Sequence, residues 1–440
     1  MQVKKIATGS IITLSTRVVT LILNLITVAL YTHVLGPELK GKFAFLLIVS
    51  LILDSLTPPI KLANIYFSSN RQDIISKLAT NSFVATGFSA AMVAGILSLA
   101  SMFPRYHEFL EFRNINSILI WYAALLVPLM LLWRSLGGLL LGRNKIIAFN
   151  TIQLSVVATL LIIVIILFFS QSITIYSLLL ANLLAHFITV ILAIIYVRRL
   201  TPFSATIDWG LLKDTYFYSF RAMLWNATML TERRFDVLVA GILLGNLELG
   251  LYSAAVDVLD KFRAISESIA TMLFPTIAGM QHEDDGKLTA MLIRNVVWTV
   301  SFFVLVLAVF ATPVITLLFG ESFILSSNIL RILLPGAVML SIMRLISADY
   351  AGRGQPEMGA LFAIIDIIIM SLLVLFLAPI WNGYGIAIAS VVGYTVASIT
   401  AIVLFTKKHN LKLGEVLSIN RQDIYIYHKF FTEIVKSIRK

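Results

Sequence analysis

Ten ionisable side chains sit in two neighbouring stretches that are long enough to cross a bilayer. The first stretch carries Arg221, Glu232, Arg233, Arg234 and Asp236. The second carries Asp257, Asp260, Lys261, Arg263 and Glu267, and the short turn Gly245–Gly250 lies between them. An ionised group near a bilayer centre costs about 2.5–3.5 kcal/mol on insertion scales. Ten of them facing lipid would cost about 25–35 kcal/mol, more than the ~5–15 kcal/mol net stability of a typical fold. They must therefore border protein or water. Five are cationic and five anionic, and several fall at helical pair spacing: Asp257 with Lys261, Arg263 with Glu267, Glu232 and Arg233 near Asp236. The pattern is that of the polar lining of a cavity between helices.

The elements that hold this lining are set by composition. The chain is 59% hydrophobic and 13% charged, against about 25% charged in soluble domains. A span needs about 20 apolar residues, and twelve stretches qualify: 11–35, 43–65, 79–103, 117–141, 151–169, 175–197, 216–244, 251–279, 291–319, 328–351, 358–379 and 384–405. The first is too long for a signal peptide, and no small-residue cleavage site follows it. With the N-terminus cytoplasmic, inside segments hold twenty Lys and Arg. The outside loops hold four: Lys40, Lys42, Arg105 and Arg113. That asymmetry fixes the orientation, with both termini inside. It also accounts for the net charge of +11 without nucleic acid.

Catalytic signatures are missing. The sequence has no phosphate-binding P-loop, dinucleotide fingerprint, nucleophile elbow or zinc-type His/Glu helix. It has no cysteine, which removes thiolate chemistry and sulfur-based metal sites. The outside loops are too short to hold an acceptor for a transferase. The expectation is a non-enzyme with no cofactor and no metal, which moves something across the bilayer.

An internal repeat organises the spans. Leu35-Gly36-Pro37-Glu38-Leu39-Lys40-Gly41-Lys42-Phe43 and Leu244-Gly245-Asn246-Leu247-Glu248-Leu249-Gly250-Leu251-Tyr252 share the form Leu-Gly-x4-Gly-x-aromatic at an offset of 209. Arg134 and Gly142-Arg143 recur as Arg344 and Gly352-Arg353 at an offset of 210. Two matches at offsets that agree to one residue argue for a repeat of six spans. Six is even, so the halves share one orientation, related by an axis along the membrane normal. At that offset Asp54 corresponds to Arg263.

Other positions have two open readings. Arg17 lies two turns into the first span, where it either snorkels to the interface or faces a cavity; the same holds for Arg134 and Arg344 at their cytoplasmic ends. Pro58-Pro59 breaks the second span between Asp54 and Lys61, as a cavity wall or as a packing kink. His186 reads as a hydrogen-bonding partner of a neighbouring helix. The loop 104–114, with His107, Glu108 and Glu111, reads as solvated, and so does the acidic run His282-Glu283-Asp284-Asp285. Asp366 stands among isoleucines and is a candidate proton- or sodium-coupling carboxylate. In the tail, Tyr427, Phe430, Phe431, Ile434, Val435 and Ile438 share one helical face, which suits an interfacial helix on an anionic leaflet.

The turn Leu35-Gly36-Pro37-Glu38, the run Arg234-Phe235-Asp236 with Gly241 and Gly245, and the turn Glu248-Leu249-Gly250-Leu251-Tyr252-Ser253 resemble the O-antigen and polysaccharide flippases of the multidrug/oligosaccharidyl-lipid/polysaccharide exporter superfamily. Leu39-Lys40 departs from the Gly-Tyr often found there. The resemblance covers nearly all of residues 5–405. It implies an all-α polytopic membrane protein of about 12 transmembrane helices, in two pseudo-symmetric six-helix lobes around a central cavity. The expected divisions are a lobe over 1–200, a cytoplasmic linker over 201–215, a lobe over 216–406 and a basic tail over 407–440. The implied substrate is an oligosaccharide on a polyprenyl pyrophosphate, turned over in the bacterial inner membrane by alternating access. Arg17, Lys61, Arg221, Arg234, Lys261 and Arg263 would neutralise its phosphates. Asp54, Asp236, Asp257 and Asp366 are the candidate carriers of a coupling H+ or Na+. Membrane lipids and polysaccharide polymerase machinery complete the candidate partners. A cation or drug antiporter of the same superfamily and a small-anion transporter are the competing readings.

Overall fold

The computed structural model describes the backbone of residues 2–71, 73–278 and 286–418. Side chains are described over these ranges except at 2–12, 14, 70, 221–234, 262, 264–265, 268, 271–272, 274–276 and 278. All regular structure among the described residues is helical. Among the described residues eight helices are long and apolar enough to cross a membrane, and the chain is a multi-pass membrane protein. Two of the eight are doubles. Helix α1 (Gln2–Ser55) bends at Gly36, whose φ of 69° and ψ of 174° interrupt the helix just before Pro37. The left-handed φ is one that glycine adopts without a Cβ clash, and Pro37 then starts the second half with its fixed φ.

The chain resolves into two compact units, Met1–Ala254 with Thr316–Phe323, and Ala255–Ile315 with Ile324–Lys440. In the first, α1 ends at the Pro58-Pro59 break and the chain resumes as α2 (Ile60–Asn70). Ser55 and Thr57 donate their hydroxyls to the carbonyls of Ile52 and Asp54, both at 2.7 Å, so the interrupted helix end is satisfied locally. There follow α3 (Ile75–Ser101), α4 (Pro104–Phe112), α5 (Ser117–Ile120), α6 (Tyr122–Gly142), α7 (Ile146–Phe169), α8 (Ile175–Arg198) and α9 (Trp209–Leu243). The apolar core joins Leu78, Leu136, Leu139, Ile152, Ala193 and Val197 from α3, α6, α7 and α8. Gly138 and Gly142, four apart on α6, bring it against α2. A Cβ on Gly138 would lie 2.6 Å from the Lys61 carbonyl oxygen, and one on Gly142 would overlap the Ser68 hydroxyl. Small residues at this spacing let helix backbones approach in a membrane, and here they set the height of Lys61.

Two turns of the repeat meet inside this unit. A Cβ on Gly41 would overlap the carbonyl oxygen of Asn246, and a Cβ on Gly250 would overlap that of Pro37. Pro37 and Asn246, like Gly41 and Gly250, stand 209 residues apart. Residue i meeting j while the equivalent of j meets the equivalent of i is the signature of a two-fold contact.

The connection 199–208 is fastened to α3. Ser76 and Thr80 donate to the carbonyls of Pro202 (2.7 Å) and Ser204 (2.9 Å). Asp208 caps α9 by accepting from the Leu211 amide at 3.0 Å and pairs with Lys77 at 3.0 Å. The Leu211 amide, then Lys77, hold its carboxyl below the usual carboxylate range. A depressed folded pKa gives stability that is present above the unfolded value and lost as pH falls through the folded one. Asp208→Ala is therefore expected to raise amide hydrogen exchange at the start of α9 at pH 7. Wild type and variant should converge at acid pH; equal exchange at pH 7 would remove the cap from the account.

In the second unit, α10 (Asn246–Ala278) continues from the first. It is followed by α11 (Lys287–Phe319), a 3-10 turn at Glu321–Phe323, α12 (Ser326–Gly352), α13 (Glu357–His409) and the short α14 (Leu413–Leu417). Helix α13 is the other double, kinked where Asn382 takes φ 48° and ψ −128°. Arg294 donates to the Glu415 carbonyl at 2.6 Å and Trp298 to that of Leu417 at 3.0 Å, which docks α14 on α11. The acidic run 282–285 and the tail helix expected beyond 418 lie outside the described residues.

Candidate functional site

In the first unit a polar cluster gathers where α1 breaks. Asp54, left at the end of α1, accepts from Arg134 of α6 at 2.7 Å. The pair joins elements 80 residues apart, so the Arg134 guanidinium is held by a carboxylate. Lys61, one residue into α2, is half-buried with its ammonium 4.8 Å from the centre of the Phe149 ring. The charges of Arg134 and Arg17 both act on it. Arg17 itself is exposed. Asn150 of α7 donates to Thr13 at 3.2 Å, tying α7 to α1 one turn before Arg17. His186 is buried on α8 with Nδ1 3.0 Å from the Asn182 carbonyl, and the charges of Asp54 and Arg134 reach it. Arg134 is thus paired with Asp54, and Lys61 and Arg17 add positive charge beside Arg134. Such a group attracts an anion, and the guanidinium offers a planar fork to phosphate oxygens.

In the second unit, Arg263 is buried at 6% exposure. It donates to Tyr394 Oη at 3.0 Å and pairs with Asp260 at 3.4 Å. Asp257 and Lys261 are half-buried. Glu267 pairs with Arg344 of α12 at 3.3 Å. This bridge is the counterpart of Asp54–Arg134: each joins the second and fourth spans of its repeat. Asp366 is buried at 2% exposure beside Gly393, where a Cβ would overlap its carboxylate. Asp349 is also buried, accepting from Thr289 at 2.7 Å and Arg353 at 2.9 Å, with His409 3.6 Å away.

The remaining sequence candidates fall elsewhere. Asp236 is completely buried in the first unit, accepting from its neighbour's amide (Val237, 2.9 Å) and from Tyr252 Oη at 3.2 Å. The side chains of Arg221 and Arg234 lie outside the described residues. No cluster of three or more His, Cys, Asp or Glu able to hold a metal occurs among the described residues.

His107, Glu108 and Glu111 of the segment 104–114 are exposed, as expected of a solvated stretch, but Arg113 is not. Its side chain is fully buried, donating to the carbonyls of Gly241 and Leu244 (2.5 Å to the latter) and to Asn246 Oδ1 at 3.3 Å. Asn246 returns a bond to the Arg113 carbonyl at 2.5 Å. The guanidinium also lies near the rings of Phe45 (4.6 Å) and Phe109 (5.4 Å), which themselves meet at 5.7 Å. Burial lowers its pKa to about 10, so it stays protonated at neutral pH. Nothing in the local sequence marks it, because its acceptors are backbone carbonyls more than 120 residues away.

Comparison with known proteins gives the fold and the family. The chain superposes on an inward closed conformation of the lipid II flippase MurJ over 98% of its own length and 100% of that chain, with 15% identity and a TM-score of 0.73. It superposes on an inward-facing multidrug resistance MATE family transporter of the MOP superfamily over 91% and 98%, with 16% identity and a TM-score of 0.70. These likenesses show the all-α fold. In sequence it is 23% identical over 169 residues to the probable low-salt glycan biosynthesis flippase Agl15 of Haloferax volcanii. That match spans 37% of this chain and 36% of the relative, about a third of its length. A family model described as "Polysaccharide biosynthesis protein" matches residues 68–328, over half of the chain, and on that match the chain belongs to the polysaccharide biosynthesis protein family.

Proposed function

We propose that this protein is a flippase that carries a polyprenyl-pyrophosphate-linked oligosaccharide from the cytoplasmic to the outer leaflet of a bacterial inner membrane, without catalysing a reaction. The observation that carries this reading is the group of cations at the broken second span, where Lys61 lies under the charges of Arg17 and of Arg134, the partner of Asp54. A pyrophosphate-sugar headgroup is anionic and hydroxyl-rich, and its lipid tail stays in the membrane. Asp54 keeps Arg134 paired when no anion is present. On this reading two like-oriented lobes, 1–200 and 216–406, alternate access to the site, with both termini cytoplasmic and 201–215 as the linker. Lys261, Arg263, Arg221 and Arg234 supply further cations. Asp54, Asp236, Asp257 and Asp366 are the coupling carboxylates for H+ or Na+, and polymerase machinery takes the product.

Lys61 is the residue to test, because its charge can be removed without breaking the Asp54–Arg134 pair. Lys61→Gln is expected to lower the initial rate of lipid-linked oligosaccharide flipping in proteoliposomes about tenfold, equivalent to ~1.4 kcal/mol. Protein yield and elution should be unchanged. An unchanged rate would remove the cationic site. A drug or cation antiporter predicts the reverse: cation efflux undiminished by Lys61→Gln and no flipping in the wild type.

A further inference from the structure

Lys61 rests on an aromatic face, although a carboxylate stands seven residues back in the chain. Its ammonium lies 4.8 Å from the centre of the Phe149 ring, inside the ~6 Å at which the negative face of an aromatic ring attracts a cation. Among the described residues it makes no hydrogen bond or ion pair. Asp54, on the other side of the Pro58-Pro59 break, gives Oδ2 to Arg134, and its Oδ1 is buried without a hydrogen-bond partner among the described residues. We propose that Phe149 is a positioning residue for anion capture: its ring face holds the Lys61 ammonium off Asp54 and ready for a phosphate of the cargo. The role rests on the flippase reading for the identity of that anion.

Two adjacent glycines of α6 admit the two partners. A Cβ on Gly137 would lie 3.2 Å from the Phe149 ring, and one on Gly138 would lie 2.6 Å from the Lys61 carbonyl oxygen. Arg134 stands three and four residues before them, on the same face of the helix. Phe149 is buried in the first turn of α7, and the neighbouring Asn150 ties that turn to Thr13 of α1. The ring is thus fixed by its surroundings, while the lysine stem is a flexible four-carbon chain. The charges of Arg134 and Arg17 repel the ammonium, and the charge of Asp54 attracts it. A lysine drawn onto Asp54 would compete with Arg134 and would already be answered by a carboxylate before an anion arrives. A ring face attracts the ammonium without accepting its N–H bonds as a carboxylate does. A phosphate oxygen, which forms charge-assisted hydrogen bonds, therefore displaces it readily.

The test is acylation of Lys61 by a small amine reagent, in the full chain in nanodiscs at one pH, read by mass spectrometry against the exposed Lys213. Phe149 is replaced with mono-, di- and trifluorophenylalanine, which keep the shape of the ring and progressively weaken its negative face. Phe149→Leu removes the ring; the fluorinated series stands alone if that variant does not fold. Lys61 is expected to react faster with each fluorine, about threefold faster at the third, and at least as fast in Phe149→Leu. Polyprenyl pyrophosphate should protect Lys61 in the wild type, and the concentration for half protection should rise about threefold along the same series. A ring that only fills space would leave the fluorinated proteins like wild type, and that result would overturn the proposal. So would reactivity that follows the fluorines while polyprenyl pyrophosphate gives no protection, or protection indifferent to them. Protection that follows the series in a protein whose wild type flips no lipid-linked oligosaccharide would remove the transport reading and leave the positioning role in place.

Discussion

Gly41→Ala is expected to lower the melting temperature of the detergent-solubilised protein by roughly 6–12 °C, the shift for about 3 kcal/mol in a domain of this size. An added methylene in a packed interior costs ~1–3 kcal/mol when side chains can move aside. Here the obstacle is backbone. The new Cβ overlaps the Asn246 carbonyl oxygen and sits 2.9 Å from the Gly250 nitrogen, so two helices must separate. Gly250→Ala meets the Pro37 carbonyl and the Gly41 nitrogen in the same way, and the same loss is expected. Gly95→Ala is the control. It lies within α3 with nothing inside 4 Å of its Cβ, where alanine gains about 0.5–1 kcal/mol over glycine in a helix. A Gly41→Ala variant as stable as Gly95→Ala would mean that the two turns are not in contact.

Arg113→Ala should be comparably damaging, at about 3–5 kcal/mol. Hydrogen bonds to a charged group contribute ~1.5–3 kcal/mol each when buried. The carbonyls of Gly241 and Leu244 belong to the last turn of α9, where a cation also complements the helix dipole. Truncation leaves those carbonyls and Asn246 without their donor, and removes the cation–ring contacts with Phe45 and Phe109. Arg113→Lys is expected to recover less than half of the loss, since an ammonium cannot serve three acceptors in a planar fork. Limited proteolysis at the 243–246 turn, alongside the melting temperature, reads out the effect. Full rescue by lysine would reduce Arg113 to a point charge.

The membrane class was legible in composition, and the repeat in Gly41, Gly250, Arg134 and Arg344. What the sequence did not disclose is who pairs with whom. Reading along one helix put Arg263 opposite Glu267, whereas the structure adds Tyr394 and Asp260 to Arg263 and brings Arg344 to Glu267. Tyr394 and Arg344 arrive from other helices, 131 and 77 residues away. The fixed offset also misaligned the carboxylates. Asp54 and Glu267 are 213 apart while their arginines are 210 apart. Three residues is nearly one helical turn, so the same face is kept while a register search lands Asp54 on Arg263. Asp236 was read as a polar lining group, yet it is a buried acceptor for Tyr252, because in a membrane a carboxylate can be satisfied by a phenol as well as by water.

The carbonyl-over-glycine contact is made twice, once in each direction across a local two-fold. Symmetry leaves this seam no asymmetric failure: whatever loosens one half loosens its mirror. The two glycines thus act as a single shared constraint, since a side chain at either one pushes the same pair of turns apart.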